Sequence, residues 1–130
     1  MDEIEKIKKD KLKKMLLKRK IDLIIEVNDK NFQEKVIKQS KKIPVVVDFW
    51  SPWCVPCLIL GPVLEKLNKE YNGKFILAKV NVSENRLVGQ KYGIMGIPSV
   101  KMFKDGKITD EFVGTIPELL VRKWLDKNIK

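Results

Sequence analysis

An α/β fold is predicted for this 130-residue chain, and three observations predict it. The run Val45-Val46-Val47-Asp48-Phe49-Trp50 is apolar except for one carboxylate, as strands covered on both faces are. Strand-like and helix-like patterns alternate along the chain, which is the signature of helices packed on a partly parallel sheet. Near the C-terminus, two strand-like runs flank Lys104-Asp105-Gly106-Lys107, a turn that predicts a hairpin. The predicted order is a leading helix, then βαβαβαββα.

Residues 1–20 read as a helix, with Ile4, Ile7, Leu12, Met15 and Leu16 at near-helical spacing and neither Gly nor Pro among them. Ile21 to Val27 reads as a short strand, followed by Asn28 or Asp29 as N-cap of a helix that carries Phe32, Val36 and Ile37 on one face and ends at Lys41-Lys42. Pro44 opens the Val45–Trp50 strand. After the Ser51-Pro52 break, a helix from Cys54 holds Leu58, Leu60, Val63, Leu64 and Leu67, and Pro62 inside it predicts a bend.

Beyond Asn72-Gly73, Phe75 to Val82 is the next strand, and Ser83 or Glu84 starts a helix to about Tyr92. Strand, helix and strand of this length imply a right-handed crossover. Pro98 to Phe103 and Ile108 to Val113 form the hairpin. A last helix starts near Pro117 and buries Leu119, Leu120, Trp124 and Leu125.

Composition bounds the function. Hydrophobic residues make up 44% and charged residues 34%, as in a soluble globular protein. No uninterrupted apolar stretch follows the charged Met1-Asp2-Glu3-Ile4-Glu5-Lys6 start, so neither a signal-peptide core nor a membrane span is expected. Two cysteines do not make a secreted disulfide framework, and a reducing cytoplasm is the expected compartment.

Net charge is +10. Residues 1–20 hold nine Lys/Arg against four Asp/Glu, while the other 110 residues hold eighteen against thirteen. The arm is thus about fivefold denser in positive charge. It has the charge to meet nucleic acid, an anionic membrane or an acidic partner, but it lacks base-reading and base-stacking side chains, so nucleic acid is not the expected partner. A solvated helix is the plainer reading. Residues 1–20 are accordingly taken as a basic extension and 21–130 as the domain, expected to be a monomer.

The chemistry lies in Trp53-Cys54-Val55-Pro56-Cys57. Cys54 falls where a buried strand hands over to a helix, so unpaired N–H groups and the positive end of the helix dipole stabilise its thiolate. The thiolate is the attacking species, which makes Cys54 the nucleophile. Cys57, one turn on, is placed to resolve a mixed disulfide formed by Cys54. Val55-Pro56 restricts the loop between them. A zinc site normally needs four Cys or His ligands, and this chain has two cysteines and no histidine, so no metal is expected. Two inert core cysteines are the stronger alternative, against which the Pro-flanked strand-to-helix position counts.

Asp48 is a carboxylate inside a core strand, where burial raises its pKa. Beneath a dithiol it can accept the proton of the resolving thiol. The competing reading is a carboxylate held by Lys79, which sits in an apolar strand of its own. Pro98, after Gly93-Ile94-Met95-Gly96-Ile97, reads by itself only as a strand starter with a trans bond.

Taken together, Asp48 to Cys57, Ala78-Lys79-Val80-Asn81-Val82, Lys91-Tyr92-Gly93-Ile94, Gly96-Ile97-Pro98-Ser99 and Val113-Gly114 resemble the landmarks of the thioredoxin family over about residues 22–128. The resemblance implies a thioredoxin fold, three layers α/β/α around a mixed sheet of about five strands, to which the N-terminal helix is an addition. It implies a redox-active Cys54-Cys57 disulfide with no cofactor, disulfide-containing protein substrates, and electrons from a thioredoxin-reductase-like flavoenzyme. Ile97-Pro98 would be a cis peptide beside the thiols. Trp53, Val55, Pro56, Gly96, Ile97, Pro98 and Gly114 would form the surface that docks an extended substrate backbone. Asp48 and Lys79 match the family's buried acid and its lysine.

Two positions depart from the family pattern. Val55-Pro56 replaces the usual Gly-Pro, which bears on redox poise, and Leu58 replaces a lysine, which removes a positive charge near Cys54. The expected function is protein-disulfide reduction. The alternatives are an oxidase or isomerase with the same site, or a thioredoxin-like binding module directed by the basic arm.

Overall fold

A computed structural model of the chain describes residues 2–8, 10–11 and 23–130. Residues 3–8 and 10–11 are helical, with the Asp2 carboxylate accepting from the Glu5 N–H at 2.8 Å as an N-cap. Ile4 and Ile7 are exposed on this segment. Leu12, Met15, Leu16 and Ile21, which the expected first helix and first strand include, lie outside the described residues.

Five strands form one mixed sheet: β1 (Ile24–Glu26), β2 (Val45–Trp50), β3 (Ile76–Asn81), β4 (Ser99–Lys104) and β5 (Lys107–Val113), in the order β1-β3-β2-β4-β5. β3 runs parallel to both β1 and β2, while β4 is antiparallel to β2 and β5 to β4. The central position of β2 accounts for its composition: Val45, Val46, Val47 and Phe49 are fully buried, on alternating faces.

Helices cover both faces. The Gln33–Lys38 helix and α2 (Arg86–Lys91) pack Val36 and Val88 against Val45, Val47 and Phe49. On the other face, α1 (Val55–Glu70) and α3 (Glu118–Ile129) pack Leu60, Leu64, Leu67, Val121 and Leu125 against Val46, Leu77, Val100 and Met102. The chain moves across the sheet from β1 to β2 and back from β2 to β3, so two right-handed crossovers must place their helices on opposite faces.

Several elements differ in detail from the sequence-based expectation. Gln33–Lys38 is π-helical and Gln39–Lys41 a 3-10 turn, where an ordinary helix is predicted. Ser40 ends this segment by bonding outward: its carbonyl accepts from the Asp105 N–H and its Oγ from the Gly106 N–H, both at 2.8 Å. Asp29 does not cap this helix. Its carboxylate accepts from the Val88 N–H at 2.8 Å, at the start of α2, while Asn28 Oδ1 accepts from the N–H groups of Lys30 and Asn31.

α1 continues through Pro62 to Glu70, and Leu58 is exposed on it. In α3 the buried pair is Val121 and Leu125, one turn apart, and Trp124 packs edge-on against Phe112 at 5.0 Å. Leu119 and Leu120, expected in the core, are exposed. The hairpin turns on two residues, Asp105 (φ 52°) and Gly106 (φ 79°), the left-handed pair that matches strand twist.

Candidate active site

β2 ends at Trp50, and the chain turns at once. The Cys54 N–H donates to the Ser51 carbonyl at 3.1 Å, and the Trp53 N–H to Ser51 Oγ at 3.2 Å. This turn sets Cys54 at the N-cap of α1 in an extended conformation, with Val55 and Pro56 opening the first turn. A proline there removes no intrahelical bond. Cys54 Sγ accepts from the Cys57 N–H at 3.2 Å, so the sulfur itself fills the capping role and meets one of the helix's orphan donors.

Cys54 and Cys57 form a disulfide, with Cα atoms 5.2 Å apart. The two sulfurs differ in access. Cys54 is partly exposed, whereas Cys57 is 3% exposed and lies on the same stripe of α1 as the buried Leu60, Gly61 and Leu64. An incoming disulfide therefore meets Cys54 first.

Asp48 is 1% exposed and faces the layer that α1 covers, as Val46 does two residues earlier. Its Oδ1 is buried without a hydrogen-bond partner. Burial pushes its pKa up from 3.8 to about 7; Lys79 pulls the other way, and Glu65 adds to the rise. Lys79 stands beside Asp48 in register across β2 and β3. Its ammonium nevertheless pairs with Glu65 Oε1 at 3.6 Å and lies 5.2 Å from the Trp50 ring centroid. Asp48 is therefore not simply tied up by Lys79.

The Ile97-Pro98 peptide is cis. Because β4 runs antiparallel to β2 with Ser99 opposite Phe49, this peptide sits at the end of the sheet from which Cys54 emerges. The Gly114 N–H donates to the Pro98 carbonyl at 2.8 Å, with Gly114 at φ 92°. A Cβ on Gly96 would stand 3.3 Å from Val113 Cγ1, so Gly96, Pro98 and Gly114 come together. Pro98 is buried, Gly96, Ile97 and Gly114 are half-buried, and Trp53, Val55 and Pro56 are exposed.

Four exposed apolar side chains lie on the site's own segments, Leu58 and Ile59 early in α1, Met95 before Gly96 and Val113 before Gly114; sequence reasoning marked Leu58 only as a lost charge and missed the other three. Apolar residues read as core by default, so only their exposure distinguishes them. It also missed Glu65, whose relation to Lys79 depends on how α1 crosses β3.

Comparison with known proteins decides the family. The thioredoxin family model matches residues 23–127. The chain belongs to the thioredoxin family. It is 45% identical to a thioredoxin of Chlorobaculum thiosulfatiphilum over 104 residues, covering 80% of this chain and 94% of that protein. It is 41% identical to thioredoxin 1 of Synechococcus elongatus (79% and 94% covered) and 39% identical to a thioredoxin of Pseudomonas aeruginosa (82% and 96% covered). With the Cys54-Cys57 pair at the thioredoxin position, the chain is a thiol–disulfide oxidoreductase of the disulfide-reducing thioredoxin type. The redox-active disulfide is its site. No described helix is long and apolar enough to cross a membrane. Among the described residues, no three of Cys, Asp and Glu gather as a metal-ligand set.

Proposed function

We propose that the chain reduces protein disulfides by a two-step exchange in which Cys54 attacks and Cys57 resolves. The difference in access between the two sulfurs carries this reading. The Cys54 thiolate attacks one sulfur of the substrate disulfide, forms a mixed disulfide and releases the other substrate sulfur as a thiolate. Asp48 then takes the proton of Cys57. The Cys57 thiolate attacks Cys54 Sγ, closes the Cys54-Cys57 bond and releases the second substrate thiolate. Two electrons pass from the dithiol to the substrate, and the released thiolates take up protons from Asp48 and solvent.

The Cys57 N–H on Cys54 Sγ stabilises the attacking thiolate. A carboxyl with a pKa of about 7 is matched to proton exchange near neutrality, which supports the role of Asp48, with Lys79 as its charged neighbour. Trp53, Val55, Pro56, Gly96, Ile97, Pro98 and Gly114 form the docking surface for substrate backbone. A thioredoxin-reductase-like flavoenzyme returns two electrons to the disulfide, in the cytoplasm and with no bound cofactor on this chain. Residues 1–20 are a basic extension to a domain of residues 21–130, which acts as a monomer.

The test is trapping with a disulfide-bonded protein such as insulin. Cys57→Ser accumulates a mixed disulfide through Cys54, and Cys54→Ser forms none. Equal trapping through either cysteine would overturn the assignment.

A further inference from the structure

Gly61 and Glu65 are one turn apart on α1 and share a face. The Lys79 ammonium lies against that face: 3.6 Å from Glu65 Oε1, 3.7 Å from where a Cβ on Gly61 would stand, and 5.2 Å from the Trp50 centroid. The absent side chain at Gly61 thus leaves room for the ammonium, and Glu65 one turn later supplies its counter-charge. Glu65 is 37% exposed and Asp48 is buried, so one cation with two acids in reach is paired with the outer one.

The groups facing this network come from several elements. α1 brings Cys57 and Glu65 to the layer above Asp48, and β3 brings Lys79. β4 presents the apolar Val100 in register with Asp48, and α3 adds Val121 and Leu125 to the same layer. β1 sets Glu26 beside Lys79, and Glu84 lines the same cleft as Lys79, Trp50 and Asn81. Among the described residues, the ion pair of Lys79 is with Glu65.

We propose that Glu65 is a positioning residue of the redox site, holding the Lys79 ammonium away from Asp48 so that the buried carboxyl keeps its proton-accepting role toward Cys57. The inference rests on the reading of Asp48 as that acceptor. Its physical basis is competition for one cation. An ammonium drawn fully onto Asp48 favours the carboxylate and weakens it as a base, whereas one anchored on Glu65 leaves the Asp48 carboxylate the stronger base. The Glu65 carboxylate also repels charge on Asp48 directly.

The experiment is a carbon-13 carboxyl titration of Asp48 in the oxidised full-length protein, for wild type, Glu65→Gln, Lys79→Met and the double variant. Glu65→Gln is expected to lower the Asp48 midpoint by ~0.5 unit or more, with Glu65→Asp restoring part of it. In the Lys79→Met background the effect of Glu65→Gln should shrink by half or more, because its indirect route is gone. An unmoved midpoint in Glu65→Gln, or an equal fall with and without Lys79, would overturn the proposal. A lowered midpoint combined with an Asp48→Asn protein that resolves mixed disulfides at the wild-type rate would uphold the placement of Lys79. It would overturn only the acceptor reading of Asp48.

Discussion

Asp48 and Lys79 are neighbours in register across β2 and β3, yet Asp48 Oδ1 is buried without a partner while the Lys79 ammonium pairs with Glu65 at 3.6 Å. A buried acid left in this state stores a pH-dependent penalty. Its pKa rises from 3.8 to about 7 on folding, so between those values the native state holds a proton that the unfolded chain has lost. Stability therefore falls as pH rises through this window and stays lower above it. Asp48→Asn should be more stable than wild type at pH 8 by about 2–4 kcal/mol, with the gap closing below pH 4. Urea unfolding at the two pH values measures it, and a gap that does not change with pH would exclude a raised Asp48 pKa.

The same carboxyl should control the second chemical step. Removing a positioned general base typically costs about 10²-fold or more. Single-turnover resolution of the Cys54 mixed disulfide is expected to slow by about that factor in Asp48→Asn, and to lose the inflection near pH 7 expected of wild type. An inflection retained in the variant would assign it to another group.

Gly114 combines φ 92° with an N–H donated to the Pro98 carbonyl at 2.8 Å. A side chain in the left-handed region costs about 1–2 kcal/mol. Gly114→Val should lose that stability and raise KM for a disulfide-bonded protein several-fold, with a smaller effect on kcat. Steady-state kinetics on insulin reduction reads the split, and an unchanged KM would remove Gly114 from the docking surface.

Deleting residues 1–20 should leave insulin reduction within about twofold of the full chain, since no residue of the exchange mechanism lies there. If full-length protein binds heparin or anionic vesicles in a salt-dependent way and the truncated protein does not, the arm is a targeting element as well. A large loss of reductase activity on truncation would contradict the separation at residue 20.

Much of the fold was legible because it is carried by local pattern. β2 announces itself by continuous β-branched and aromatic residues, and its structural limits, Val45–Trp50, are those of the run. The hairpin follows from Asp105-Gly106, residues that tolerate positive φ. What stayed hidden depends on tertiary partners. Phe32, Val36 and Ile37 present an apolar spacing that does not separate one helical pitch from another, so the π-helix was invisible in the sequence. Asp29 caps a helix almost sixty residues away, a bond no local rule can supply.

At the site, the cysteines, Asp48 and Lys79 stood out in the sequence, because a dithiol at a strand end and a charge in a core strand are conspicuous, whereas the loop before Pro98 drew notice only through family resemblance. The cis form of Ile97-Pro98 followed from family resemblance and not from the residues alone. Glu65 looked like any acid on a solvated helix face, and Leu119 and Leu120 looked like core. Their roles depend on the rotation of α1 and α3 about their axes, which Leu60, Leu64, Val121 and Leu125 set by packing on the sheet.

The most direct test of the central claim is the reduction potential of the Cys54-Cys57 pair, measured by equilibration against a dithiol buffer with thiol trapping. A protein-disulfide reductase of this type should show about −270 mV, the value typical of thioredoxin, even with Val55-Pro56 between the cysteines. A value of about −180 mV or higher would contradict the account and make the same site an isomerase or oxidase.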